Sequence, residues 1–421
     1  MLKTSNTYEN FLQNNPHLFQ KDHLNHFFQQ VLIEKNSNVT GYYHLPFADN
    51  TTIFEYLKNN ESFLDSIKTL VIIGIGGSSL GTKAIDTLLS HQPHRKKIKL
   101  YFLEHTDPIT IQKHLRHIHW QKTLFIAISK SGLTIETTSL LKFVLKKYAL
   151  LKHKNHLLVI TDINSPLHQW CCKENIQSIT IQPNIGGRFS VLSAIGILPL
   201  GILGYDIKKL LKGAEKISQQ FFVERKEEIL KKALFLINNE KNFPINVLFS
   251  YSNVFKHFNL WYMQLWGESL GKLDIHQQRR GLTPIALIGS IDQHSFLQLI
   301  MQGTRNKTIT FLNVENLTEE SLYIPNISLE GLESTDFANK SSFNQLLNLQ
   351  CVATKQSIMK ENIPMDSITL ERLCEESVGE LIFYYELLTS CAGILLQVDT
   401  YNQPGVEFGK KVLREKFTHL K

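Results

Sequence analysis

Two apolar runs that dissolve into glycine and hydroxyl residues constrain this 421-residue chain more than any other feature. Val71-Ile72-Ile73 leads into Gly74-Ile75-Gly76-Gly77-Ser78-Ser79, and Ile126-Ala127-Ile128 leads into Ser129-Lys130-Ser131-Gly132-Leu133-Thr134. A helical pattern follows each. Strand, small-residue turn and helix in that order make an anion-binding loop. Glycine lets the backbone approach a ligand and hydroxyls donate to it. The helix then directs its unpaired N–H groups and positive dipole end at the charge. Two such loops point to one phosphate gripped from two sides.

Neither loop is a nucleotide fingerprint. Ser79 stands where the third glycine of G-x-G-x-x-G belongs, and no Gly-Lys-Ser/Thr follows. Read alone, the first loop is weak evidence and has a bland reading as a tight strand–helix turn. The second, with three hydroxyls and a glycine, is the stronger signal, its bland reading being an N-cap with bystander serines.

The surrounding rhythm predicts an α/β fold. Strands are expected at Leu70–Ile73, Lys99–Leu103, Thr123–Ile128, Leu157–Thr161 and Ser178–Ile181, with helices between them. That alternation implies a parallel sheet with helices on both faces, and ligands bind beyond the carboxyl ends of such strands. A second series has strands at Ile245–Ser250, Ile285–Gly289 and Lys307–Leu312. The expected layout is a helical N-terminal arm over 1–50 and a first lobe over 51–204. Connecting helices over 205–240, a second lobe over 241–361 and C-terminal helices over 362–421 follow, with a long apolar helix from Leu370 to Leu396.

Composition narrows the function. A hydrophobic content of 43% is enough for sizeable cores. The net charge of +7 is spread without a long basic run, which argues against nucleic acid and favours a small anionic substrate. Five cysteines without C-x-x-C indicate neither a disulfide framework nor a zinc site, so a reducing cytoplasm is expected. The start, Met1 to Asn6, lacks an apolar signal core, and no uncharged run is long enough for a membrane span. The clusters His114/His117/His119 and His153/His156 lack a partner at metal spacing, and no metal is expected.

Four further segments carry candidate chemistry. Gly186-Gly187-Arg188-Phe189-Ser190 presents an arginine from a glycine pair, suited to developing negative charge or simply a surface turn. Gln264 and Glu268 share a helix face beside Trp266, so Glu268 is a general-base candidate or a solvated helix-end carboxylate. His294 begins a helical pattern, where most histidines are structural. Lys410 follows the turn Gln403-Pro404-Gly405 and, taken alone, reads first as a surface cation and second as a catalytic one.

Together, and in this order, these segments resemble the glucose-6-phosphate (phosphoglucose) isomerase family. The match rests on Gly74–Ser78, Ser129–Thr134, Gly186–Gly196, Gly267-Glu268-Ser269-Leu270-Gly271-Lys272, Gln293-His294-Ser295-Phe296 and Gln403–Lys410. Leu133 and Leu270 depart from the family's usual residues at positions where no chemical group is expected. The resemblance implies two doubly wound lobes of sugar-isomerase (SIS) type and no cofactor. It also implies a homodimer with sites shared across the interface. Substrate would be held by Gly77, Ser78, Ser129, the Lys130 backbone, Ser131, Thr134, Gln264 and Gln403. His294, from the neighbouring subunit, and Lys410 would assist ring opening. Glu268 would move a proton between C2 and C1, and Arg188 would stabilise the enediolate. The reaction would interconvert glucose 6-phosphate and fructose 6-phosphate. A non-catalytic SIS module sensing a phosphosugar, or an isomerase that also accepts mannose 6-phosphate, are the alternatives.

Overall fold

The computed structural model describes residues 2–11, 16–318 and 322–419. Twelve strands run in chain order: β1 Leu2–Asn6, β2 Thr69–Ile73, β3 Lys99–Leu103, β4 Thr123–Ile128, β5 Leu157–Asp162, β6 Ser178–Ile181, β7 Ile245–Tyr251, β8 Lys272–Leu273, β9 Arg279–Arg280, β10 Thr283–Gly289, β11 Lys307–Asn316 and β12 Met365–Arg372. The first sheet has the order β3-β2-β4-β5-β6 and is parallel throughout. The second has the order β1-β12-β11-β7-β10 and is parallel except at β1.

The central strands show why this topology forms. Every residue of β2 and β4 is buried, so both faces need cover. Leu70 and Ile72 face a core that also takes in Leu248, Leu312 and Ile368 of the second sheet. Their neighbours Val71 and Ile73 face the opposite way, into a core with Phe125 and Val159. Val247, Phe249, Ile309 and Phe311 cover the outer face of the second sheet. Each such side chain contributes about 1.5–3 kcal/mol by leaving water. The inner faces of the two sheets thus share one core, which fixes the lobes against each other. The helices Ile207–Phe222 and Glu375–Leu396 run through it. The second of these is long and apolar enough to cross a membrane, but 89% of its apolar window is buried inside the protein, as in a core helix.

Local signals start several helices. Asp107 accepts from the N–H groups of Ile109 and Thr110 ahead of Pro108, and Ser165 accepts from His168 ahead of Pro166. Besides the two-residue strands β8 and β9, two strands of the second sheet depart from the expected pattern. The helical reading of residues 1–50 holds for Lys21–Asn36 but not for Leu2–Asn6, which adds an antiparallel edge strand on β12, with Leu2 opposite Leu370. Likewise, Leu370 belongs to β12, and the long helix begins only at Glu375. Both departures concern pairing between chain ends, to which local periodicity is blind.

Candidate active site

Strands β2 and β4 are neighbours in register, Ile73 opposite Ala127, so the loops leaving their carboxyl ends lie side by side. The first loop makes a short turn at Gly76–Ser78 before the helix Leu80–Leu89. The second precedes the helix Ile135–Tyr148, whose N-cap is Thr134. Gly132 takes φ +71°, a left-handed backbone that suits glycine, and its N–H closes back on the Ser129 carbonyl at 3.1 Å.

The second loop is fastened from below. Thr161 Oγ1 donates to the Ser129 carbonyl at 2.7 Å, and the Asp162 N–H donates to the Lys130 carbonyl at 3.1 Å. The Lys130 ammonium pairs with Asp162 Oδ2 at 2.9 Å and donates to the Pro183 carbonyl at 2.6 Å. That lysine side chain therefore serves the loop's shape, as expected if only its backbone meets substrate. Burial raises the Asp162 pKa, and Lys130 opposes the shift. Ser129 Oγ donates to Thr134 Oγ1 at 3.2 Å, while the Thr134 hydroxyl caps no N–H of its own helix. First-turn N–H groups and hydroxyls at one helix start are a phosphate-sized cluster of donors. Ser131 Oγ accepts from the Leu133 N–H at 3.3 Å, and Ser78 is half-buried.

The Gly-Gly-Arg segment backs directly onto the first loop. A Cβ at Gly77 would lie 2.1 Å from the Gly187 carbonyl oxygen and 2.7 Å from the Arg188 nitrogen. Arg188 is only 3% exposed. Its Nε donates to Ser269 Oγ at 2.6 Å, and Nη2 donates to the carbonyls of Thr400 and Asn402. Nη1 lies 3.7 Å from Glu268 Oε1. Burial lowers the Arg188 pKa, and the nearby Glu268 carboxylate counters that effect.

Glu268 sits in the last turn of the helix Lys256–Leu270, its side chain 26% exposed. Gln264, one turn earlier, donates from Nε2 to Glu268 Oε2 at 3.0 Å. The same nitrogen would be 2.9 Å from a Cβ at Gly76, so Gln264 bridges the carboxylate and the first loop. A proton acceptor, a buried cation and two donor-rich loops therefore converge. That set can bind a phosphate and abstract a proton next to a carbonyl.

Other predicted residues lie elsewhere in the single chain. His294 follows the carboxyl end of β10, where Gln293 Nε2 donates to Tyr251 Oη at 2.7 Å. The helix Lys256–Leu270 runs the opposite way, so Gly267 lies beside Pro284 at the amino end of β10. About 20 Å of strand separates the two ends. Lys410 is exposed on the helix Glu407–His419, paired with Glu407 at 2.6 Å, and Gln403 is exposed as well.

Sequence reasoning assigned no role to Lys272 or Ser269, although both lie in the Gly267–Lys272 run. Lys272 Nζ donates to the carbonyls of Asp399 and Asn402, each at 2.7 Å. Burial, aided by Arg188, depresses its pKa to about 8 against the pull of Asp399 and Glu268. Among the described residues, no group of three or more His, Cys, Asp or Glu side chains is placed to hold a metal ion.

A family model described as phosphoglucose isomerase matches residues 59–421. Glucose-6-phosphate isomerase of Campylobacter jejuni is 44% identical over 383 residues, covering 90% of this chain and 93% of that one. Among solved structures, a hypothetical protein from Thermus thermophilus superposes with a TM-score of 0.89 at 31% identity, covering 99% of this chain and all of that one. A glucose-6-phosphate isomerase from Chlamydia trachomatis shares the fold, with a TM-score of 0.79 at 22% identity, covering 95% of this chain and 87% of that one.

Proposed function

The chain belongs to the phosphoglucose isomerase family, and from that premise we propose that its active site is the cleft where the loops Gly74–Ser79 and Ser129–Thr134 meet Arg188 and Glu268. The protein is an aldose–ketose isomerase that interconverts glucose 6-phosphate and fructose 6-phosphate. The observation that carries the site assignment is Glu268 standing 3.7 Å from a buried guanidinium beside two donor-rich loops.

Each residue has a physical task. Gly77, Ser78, Ser129, Ser131 and Thr134, with the Lys130 backbone N–H, hold the phosphate, and this remote binding energy positions the sugar carbons. Gln264 orients the Glu268 carboxylate and Gln403 contacts the sugar. Glu268 takes the proton from C2 of the open-chain aldose. The C2–H electrons form the C1–C2 double bond of a cis-enediol, and negative charge moves onto oxygen. Arg188 stabilises that charge, with three of its bonds to protein holding it in place. A proton then passes from the C2 hydroxyl to O1, and returning the abstracted proton to C1 as C2=O forms completes the ketose. His294 and Lys410 assist ring opening before this step.

The site is shared between two copies of the chain. The position of His294 at the opposite end of β10 from Glu268 supports this, because a single chain holds them apart. Apolar side chains exposed near the His294 turn support it as well. Gln293 fastens that turn to Thr354 of the helix Phe343–Lys360, on which Phe343, Leu349 and Val352 are exposed. A second copy would cover them. All five cysteines are unpaired, which fits a reducing compartment such as the cytoplasm. No observation favours a non-catalytic sensor or a mannose 6-phosphate activity.

The direct experiment is to mix purified protein with fructose 6-phosphate in EDTA and follow glucose 6-phosphate. Turnover is expected. A folded protein that binds the sugar phosphate yet forms no product would overturn the reading.

A further inference from the structure

Lys272 begins the short strand β8, four residues after Glu268, and is half-buried. Its ammonium meets three acceptors on one turn: the carbonyls of Asp399 and Asn402 at 2.7 Å each, and Asn402 Oδ1 at 3.2 Å. An ammonium has three N–H donors, so the set is saturated. Arg188 Nη2 reaches the same turn through the carbonyls of Thr400 and Asn402, so the Asn402 carbonyl accepts from both cations.

The turn is braced from within and behind. Asp399 Oδ1 accepts from the N–H groups of Tyr401 and Asn402, and Asn402 Nδ2 donates to Asp399 Oδ2. Tyr401 Oη donates to Glu34 Oε1 and bonds Ser390 Oγ at 2.8 Å. Beyond Asn402 every described residue through Lys411 is exposed. The turn is therefore the last anchored point before Gln403 and Lys410.

We propose that Lys272 is a positioning residue for the isomerase reaction, pinning the Asp399–Asn402 turn together with Arg188 so that the segment carrying Gln403 and Lys410 leaves it in a fixed direction. This rests on the active-site reading given above. Arg188, Glu268 and Asp399 are the charged groups facing the ammonium, and with burial they leave its pKa at about 8. Burial therefore works against the charge, and the three acceptors on the turn are what hold the ammonium there.

The test compares the wild type with K272M and K272R by hydrogen exchange over residues 399–409 and by kcat and KM. In K272M, exchange in this segment is expected to rise by about tenfold or more, the equivalent of one charge-assisted hydrogen bond. kcat should fall with little change in KM, because the phosphate loops are untouched. K272R should restore slow exchange and kcat, because guanidinium supplies charged N–H donors to the same carbonyls. Wild-type exchange in K272M, or an unchanged kcat in K272M, would overturn the proposal. If the wild type does not isomerise fructose 6-phosphate, the functional reading fails separately, and exchange alone decides whether Lys272 pins the turn.

Discussion

Gly77 and Gly187 meet backbone to backbone, with room for a hydrogen on the Gly77 Cα and for nothing larger. The contact locks the Gly74–Ser79 loop to the segment that presents Arg188. Gly77→Ala would set a methyl 2.1 Å from a carbonyl oxygen and 2.2 Å from its carbon. Backbone cannot rotate aside as a side chain can, so the loops must part. We expect a stability loss of about 1–3 kcal/mol, typical of overpacking, and a fall in kcat as Arg188 shifts. Urea unfolding and steady-state kinetics check this. An unchanged midpoint with unchanged kcat would show that the loops move independently.

Glu268→Gln keeps the shape of the side chain and deletes the proposed base. Turnover should fall by roughly 10²–10⁴-fold, the usual scale for a general base, with substrate affinity nearly intact. Exchange of the C2 proton with solvent isolates the step. Exchange at the wild-type rate in this variant would remove Glu268 from the mechanism.

Ser129→Ala combined with Thr134→Ala removes two hydroxyls already placed 3.2 Å apart at the helix start. Ground and transition states should weaken together, which raises KM more than it lowers kcat. The same variant should also lose affinity for inorganic phosphate as a competitive inhibitor. A KM equal to wild type would move the phosphate elsewhere.

Mixing two inactive variants tests the shared site. Glu268→Gln and His294→Ala subunits, once exchanged, should form heterodimers in which one of the two sites has both residues intact. Recovered activity approaching half the wild-type value per heterodimer is expected if the two sites act independently. Demonstrated subunit exchange with no recovery, or an active monomer, would rule out the cross-subunit arrangement.

What the sequence determined by itself was local. Strands β3, β4 and β6 fall where β-type runs placed them: β4 is covered on both faces and is apolar almost throughout, while the edge strands β3 and β6 carry exposed residues between their apolar ones. The two loops were legible because glycine and hydroxyl residues ahead of a helix have few other uses. Family order then singled out Glu268 and Arg188. Tertiary structure alone decided which distant groups these residues meet. Arg188 is held by Ser269, Thr400 and Asn402, up to 214 positions away. The first strand, Leu2–Asn6, pairs with Met365–Arg372 at the other end of the chain. Lys272 saturates a turn that no spacing in its own neighbourhood foretells, and His294 is carried to the far end of β10. The physical reason is common to all four. Periodicity and turn chemistry act over one or two turns of backbone, whereas burial and hydrogen bonding across the fold are settled only when the two sheets share their core.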